Sequence, residues 1–278
     1  MKKPLILLVA ALLCIPVGCA LCAPDARAQA LRVEFFALDK ADAILITTPE
    51  GQRVLIDAGM NKDGKQLAKR FVQEGIDSLD ALIVTHFDKD HVGGVDRILE
   101  SVRVARVIMP QYKKESGQYD GFLKALEKSA GTQADAMPPR TQLSLPLAGE
   151  VTLTVTSAHE TYYGEDEEND FSLCVWLSYG DTRFLFPGDA ENARQTELME
   201  EGDVACDVLK VPHHGRMHDA SYAFLRAASP AIAFVPDGEE EPASPVLIAL
   251  LDELGTKIWC TGDGDLTVLS DGEKVWAQ

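Results

Sequence analysis

The sequence predicts an α/β chain folded as a four-layer αββα sandwich. Three observations lead there. Short apolar strands give way to amphipathic helix-strand units, and the same order returns after residue 150, so the chain reads as two similar halves. Each half offers a sheet with helices on one side, and two such sheets bury their remaining faces by packing together. No linker separates the halves, and 278 residues at 46% hydrophobic composition are enough for one large core.

The elements follow in order. Residues 1–30 read as a secretory leader: a basic start at Lys2-Lys3, an apolar stretch from Leu5 to Cys22, and a small-x-small cleavage site at Ala28-Gln29-Ala30. Lipidation at Cys19 and an uncleaved anchor are the alternatives, since the apolar stretch nears the length of a membrane span. Residues 31–278 form the folded domain. Strands are expected at Leu31–Ala37, Ala43–Thr47 and Arg53–Asp57, with a hairpin turn at Pro49-Glu50-Gly51. Helical periodicity covers Lys65–Glu74, and Gly75 can end that helix. Ala81–Thr85 is a strand, Val95–Val102 a helix, and Tyr119–Ser129 a further helix. Residues 130–149 are rich in Pro, Gly and Gln and read as a surface connection. Val151–Thr156 alternates as a strand, and Leu173–Leu177 with Arg183–Phe186 forms a hairpin around Tyr179-Gly180-Asp181. Then come helix Glu191–Glu200, strand Val208–Val211, helix Tyr222–Ala228, strand Ala231–Val235, helix Val246–Leu254 and three short strands.

The formal net charge is −18, and losing the leader, with Lys2, Lys3, Arg27 and Asp25, makes the chain two charges more negative still. Such a surface repels a polyanion at long range and counts against nonspecific nucleic-acid binding, although a bound metal can supply a positive field locally. Three cysteines lie beyond the leader: Cys174, Cys206 and Cys260. An odd count at wide spacing is no disulfide framework, and each reads as a small buried hydrophobe.

The chemistry concentrates in Thr85-His86-Phe87-Asp88-Lys89-Asp90-His91-Val92-Gly93-Gly94, directly after an apolar strand. His86, Asp88, Asp90 and His91 are four N/O donors crowded at one strand end, a set that a divalent metal holds best; zinc suits it, with manganese or iron as alternatives. A polar turn in which Asp90 caps a helix near Val92 would explain only one or two of the four. Asp189, in Pro187-Gly188-Asp189, also leaves a strand end, where it can bind metal or cap the helix that follows. His213 and His214 stand together before Gly215, again at a strand end, and read as one ligand and one substrate contact. Asp57 is placed to hold a metal-binding histidine from behind, and Asp42 to line the same cleft; a turn carboxylate is the plain alternative for each.

These residues in this order resemble the metallo-β-lactamase superfamily, and within it the nuclease-like domain of the ComEC-type competence proteins. The closer likeness lies in Asp42-Ala43-Ile44-Leu45-Ile46, in Asp88 at a position where most of the superfamily has histidine, in Asn169-Asp170-Phe171-Ser172-Leu173, and in Asp207-Val208-Leu209-Lys210-Val211-Pro212-His213-His214-Gly215. The resemblance implies the metallo-β-lactamase fold and hydrolysis of esters, amides or phosphodiesters with one or two metal ions. One ion would sit among Asp90, His91, Asp189 and one of His213 and His214. A weaker second site would use His86, Asp88, Asp189 and either His159 or Asp170. The family's usual histidine between the first loop and Asp189 is missing; Asn169 and Asp170 stand in its place. Asp88 or Asp90 would orient the metal-activated hydroxide, and the spare histidine of the pair would contact a phosphate oxygen or the leaving group. The expected function is an exported metal-dependent phosphodiesterase acting on a small-molecule or cell-surface diester. Ester or amide hydrolysis, β-lactams included, and a non-catalytic binding protein with a degenerate metal site are the rivals.

Overall fold

Alternation along each strand decides which layer every side chain enters. In Val54-Leu55-Ile56, Val54 and Ile56 join the core between the sheets, while Leu55 joins the core beneath a helix layer. The second half repeats the rule: Phe184 and Phe186 face the other sheet, and Leu185 faces helices. A strand apolar on both faces belongs in an inner layer, so three stacked cores, and hence four layers, follow from period-2 patterning.

The structure, a computed structural model, describes residues 30–164 and 168–278. The predicted leader lies outside the described residues except for Ala30. The elements are β1 (Leu31–Phe35), β2 (Ile44–Thr47), β3 (Arg53–Ile56), α1 (Asn61–Gln73), β4 (Ser78–Leu79), β5 (Ala81–Ile83), α2 (Lys89–Val92), α3 (Val95–Ser101), β6 (Arg103–Val104), β7 (Arg106–Pro110) and α4 (Gly117–Lys128), followed by β8 (Gln133–Met137), β9 (Gln142–Pro146) and β10 (Val151–Thr156). After a 3-10 turn at Glu168–Phe171 come β11 (Cys174–Tyr179), β12 (Thr182–Phe186), α5 (Asn192–Glu201), β13 (Val208–Lys210), α6 (Ser221–Ala228), β14 (Ile232–Val235), α7 (Pro245–Glu253), β15 (Lys257–Cys260), β16 (Leu266–Ser270) and β17 (Val275–Ala277).

One sheet has the order β17-β16-β1-β2-β3-β5-β7-β8, the other β15-β14-β13-β12-β11-β10-β9. Each is parallel in one half and antiparallel in the other: β3, β5, β7 and β8 run parallel, as do β12 to β15. Val33, Phe35, Ile46 and Ile83 meet Leu153, Val175, Phe186 and Phe234 between the sheets. Helices α1, α3 and α4 cover the first sheet through Leu67, Phe71, Ile98 and Phe122, and α5 to α7 cover the second through Leu198, Phe224 and Leu250. This is the predicted αββα sandwich.

Several expectations need correction. Residues 130–149 are not a plain connection, because they hold β8 and β9, the outer strands of the two sheets. Edge strands need only one paired side: in β8 only Met137 is buried, so no apolar alternation announces it. β7 was not anticipated at all. Helix α1 starts at Asn61 rather than Lys65, because Asp63 caps the chain by accepting from the Met60 amide at 3.0 Å, and its polar first turn shows no periodicity. Nor are the two halves self-contained. β16 and β17 return to the first sheet, where β16 covers β1 in an antiparallel ladder from Leu31↔Ser270 to Phe35↔Leu266. Cys174, Cys206 and Cys260 are free thiols. Among the described residues no helix is long and apolar enough to cross a membrane.

Candidate metal centre

Both parallel half-sheets end at the same rim of the sandwich, and loops leaving those carboxyl ends carry the polar residues, as open α/β sheets dictate. Asp57 follows β3, His86 follows β5, Asp189 follows β12, and His213 and His214 follow β13. The loop after β5 turns at once into α2, which lifts Asp90 and His91 into the centre, where both are buried. Gly93 and Gly94 let this loop lie against α1: a Cβ on Gly64 would stand 2.3 Å from Gly94 Cα.

A carboxylate and a hydroxyl fix two histidine tautomers. Asp57 Oδ1 accepts from the Thr85 amide at 2.8 Å, and Oδ2 accepts from Thr85 Oγ1 at 2.6 Å. His91 Nδ1 lies 2.8 Å from the same Oδ2, so Nδ1 carries the proton and Nε2 is a bare lone pair. Thr85 has one hydroxyl proton, already given to Asp57. Its oxygen therefore accepts from His86 Nδ1 at 3.1 Å, which leaves His86 Nε2 bare as well. Asp57 pays for this position with a left-handed backbone, φ 55°.

These nitrogens converge with Nε2 of His214, which is hydrogen-bonded to Asp189. His91 Nε2 is 3.2 Å and His214 Nε2 2.8 Å from Asp189 Oδ2, and His214 Nε2 is 3.5 Å from Asp90 Oδ2. The ligand atoms of His86, His91 and Asp189 lie within 4.8 Å of one another, as do those of Asp90, His91 and His214. His86 Nε2 and His91 Nε2 are buried with no hydrogen-bond partner. An unpartnered buried polar atom costs about 1–3 kcal/mol, and lone pairs aimed at one point repel. Burial, with His91 beside it, lowers the His86 pKa to about 4, so the ring is neutral and ready to ligate at neutral pH. Burial works against a charged His91, but Asp189, Asp42 and Asp57 outweigh it and raise that imidazole well above its usual range, so these carboxylates call for a positive charge at Nε2, a proton when no cation is bound and a cation in its place otherwise. A neutral base facing carboxylates and bare nitrogens is the donor set of a divalent cation, and these residues fit one.

Asp189 escapes the capping role that would have explained it otherwise. The N-terminus of α5 is capped by Asp170, whose carboxylate accepts from the amides of Glu191 at 2.8 Å and Arg194 at 3.0 Å. Burial opposes a charged Asp189, yet His214, His91 and Lys210 hold its carboxyl well below the usual range. Lys210 is the residue that sequence reasoning passed over. It is fully buried, and its Nζ bonds the Gly188 carbonyl at 2.9 Å, Asp189 Oδ1 at 3.1 Å, and Asp42. Asp42 is accordingly a buried partner of Lys210, and its backbone amide ties down the ligand loop at Asp90 O, 3.1 Å away. A lysine inside the apolar run Val208-Leu209-Lys210-Val211, on the same face as Val208, was the available signal.

Other predicted residues turn elsewhere. Asp88 precedes α2 and gives its carboxylate to Lys114, which also bonds Glu168. His213 Nδ1 is 3.0 Å from Glu191 Oε1 and 2.9 Å from His218 Nε2, while its Nε2 takes Arg216 Nη1 at 3.2 Å. His159 is held by Glu201 at 2.9 Å, away from the centre. His213 and His214 both have left-handed backbones, φ 44° and 54°, and this strained turn points the neighbouring rings to different sides. The cleft over the donors, about 340 Å³, has Lys40, Lys89, Lys114 and Arg216 on its rim.

The family model described as "Metallo-beta-lactamase superfamily" matches residues 38–236. ComE operon protein 3 of Bacillus subtilis (strain 168) is 25% identical over 225 residues, 74% of this chain and 28% of that protein. Recombination protein 2 of Haemophilus influenzae is 27% identical over 197 residues, 69% of this chain and 22% of that protein. The chain thus spans about a quarter of the length of these curated relatives. Among solved structures, the metallo-beta-lactamase fold protein YhfI from Bacillus subtilis aligns with a TM-score of 0.57 at 12% identity, covering 90% of this chain and 100% of that one, a likeness of fold.

Proposed function

The chain belongs to the metallo-beta-lactamase superfamily, a family of metal-dependent hydrolases, and we propose that it is an exported phosphodiesterase. The observation that carries the reading is the cleft. In a protein of formal net charge −18, four basic side chains gather on the rim above converging histidine and carboxylate donors. These cations are partly paired, Lys40 and Arg216 with Glu241 and Lys114 with Asp88 and Glu168, so they offer a small anion short-range contacts beside the centre rather than an unopposed positive field. An uncharged ester has no use for them.

His86, Asp90, His91, Asp189 and His214 would hold the ion; zinc suits the set, with manganese or iron as alternatives. When bound, it lowers the pKa of a water to about 7 and so supplies hydroxide at neutral pH. Asp90, beside His214, would hold the ion through one carboxylate oxygen and leave the other to accept a proton. Asp57 and Thr85 keep both histidine lone pairs aimed inward. Arg216 and His213 stand together at the cleft wall, where the guanidinium, held by His213 and Glu241, lies within the cleft lining that a phosphate oxygen would meet. The predicted leader and the resemblance to the competence branch support a place outside the cytoplasm and a phosphodiester substrate, small or at the cell surface.

The test is metal analysis of the purified protein combined with chromogenic substrates. Bis-(p-nitrophenyl) phosphate is expected to turn over faster than nitrocefin with zinc or manganese. Faster nitrocefin cleavage would move the reading to amide hydrolysis, and a protein that retains no metal would leave a binding protein.

A further inference from the structure

We propose that the ammonium of Lys114 stands where a second cation would otherwise sit, so that this chain binds one divalent ion and one lysine. The proposal rests on the metal centre described above. A second ion would need Asp88, His86, the shared Asp189 and a replacement for the missing histidine. The charged replacements are already engaged, and Asn169, a neutral and weaker donor, is turned by its amide nitrogen toward Glu191. Asp170 caps α5 with both carboxylate oxygens, His159 is bound to Glu201, and Asn169 gives its amide to Glu191 at 2.8 Å. Asp88 itself is neutralised by Lys114. Only His86 and Asp189 are then left for a second ion, both already placed around the first, and even unshared two donors fall short of the three protein ligands that catalytic zinc sites provide.

Lys114 is no chance surface contact. Its side chain is 21% exposed, and it bridges Asp88 on the ligand loop to Glu168 on the opposite wall. The loop that carries it is pinned twice by Tyr112. The Tyr112 hydroxyl accepts from the Phe87 amide at 2.8 Å, inside the ligand loop, and its ring stacks on Phe171 at 4.7 Å between centroids, beside Glu168. The same residue thus locks the lysine to both walls of the place that a second ion would fill. An ammonium there supplies positive charge to an anionic substrate without needing ligands.

The experiment counts bound zinc in the full-length protein by mass spectrometry after equilibrium dialysis, with calorimetric titration of zinc as a second measure. Wild type is expected to bind one ion per chain. Lys114→Met frees Asp88 and should raise the count to two, whereas Lys114→Arg, which keeps the charge, should stay at one. Asp88→Asn alone should keep one ion, and in the Lys114→Met background it should return the count from two to one. Two ions in wild type, or a single ion in Lys114→Met with unchanged circular dichroism, overturns the proposal and leaves the metal centre standing. No ion in wild type removes the centre and the proposal together.

Discussion

At the residue scale the centre depends on few groups outside the ligands. Asp57 never needs to touch the ion, yet it fixes the tautomer of His91 directly and that of His86 through Thr85. Asp57→Asn is therefore expected to keep the fold and weaken zinc binding by about 10–100-fold, the usual loss when a carboxylate behind a ligand histidine is removed. His91→Ala should lose the ion altogether. Competition against a chromogenic chelator separates the two; equal zinc affinity in Asp57→Asn and wild type would show that the relay is idle. Lys210 makes a different prediction. Without its ammonium, Asp42 and Asp189 are left buried beside each other, and breaking a buried ion pair on one side costs about 3–5 kcal/mol. A bound ion offsets part of that by neutralising Asp189, so Lys210→Met should lower the urea midpoint more with chelator than with zinc. The same midpoint shift in both would mean that Lys210 acts only through packing.

At the scale of elements, the glycine of α1 inverts the normal helix rule. A helix-interior glycine replaced by alanine ordinarily stabilises by about 1 kcal/mol. At Gly64 the added Cβ would meet Gly94 Cα and its carbonyl oxygen at 2.3 Å, backbone atoms that cannot swing away. Gly64→Ala should therefore destabilise the protein and displace the ligand loop, lowering both the melting temperature and zinc affinity. Gly121→Ala in α4, where the nearest atom is 3.8 Å away, should be neutral or stabilising. Melting curves of the two variants give the answer, and a stabilised Gly64→Ala would refute the close docking of α1 on the loop. What was legible in the sequence follows the same physics. Strands buried on two faces, and polar residues bunched at their ends, announce themselves locally, which is why the sandwich and the cluster from His86 to His91 could be read. β8 buries too little to leave a pattern, and the alternation of β9, with Leu143 and Leu145 against the core, spans only five residues ending at Pro146. Asp88 and His213 were assigned by position in the chain, but their directions are set by Lys114, Glu191 and His218, whose proximity only the fold creates. The capping role suspected for Asp189 belongs to Asp170, a residue nineteen positions earlier that no local signal linked to α5.

At the scale of the whole molecule two fields compete. The formal charge of −18 repels any polyanion from a distance, while the basic rim attracts an anion that has already arrived. Their ranges differ under salt. The Debye length falls from about 30 Å at 0.01 M to about 8 Å at 0.15 M, so added salt screens the distant repulsion first and the contacts within the cleft far less. For a small diester the two effects are both modest, and kcat/KM should change little across that range. For long single-stranded DNA the repulsion acts along many phosphates, so any cleavage should rise with salt, the reverse of a basic nuclease, whose binding weakens steeply as counterions are added. Removing the rim alters the other field: Lys40→Ala combined with Arg216→Ala should raise KM for an anionic diester while leaving zinc content unchanged. Measuring kcat/KM for bis-(p-nitrophenyl) phosphate and for a long DNA strand at the two ionic strengths tests both halves. DNA cleavage that falls with salt would mean that the basic rim, rather than the acidic surface, governs approach, and would make long nucleic acid the better candidate substrate.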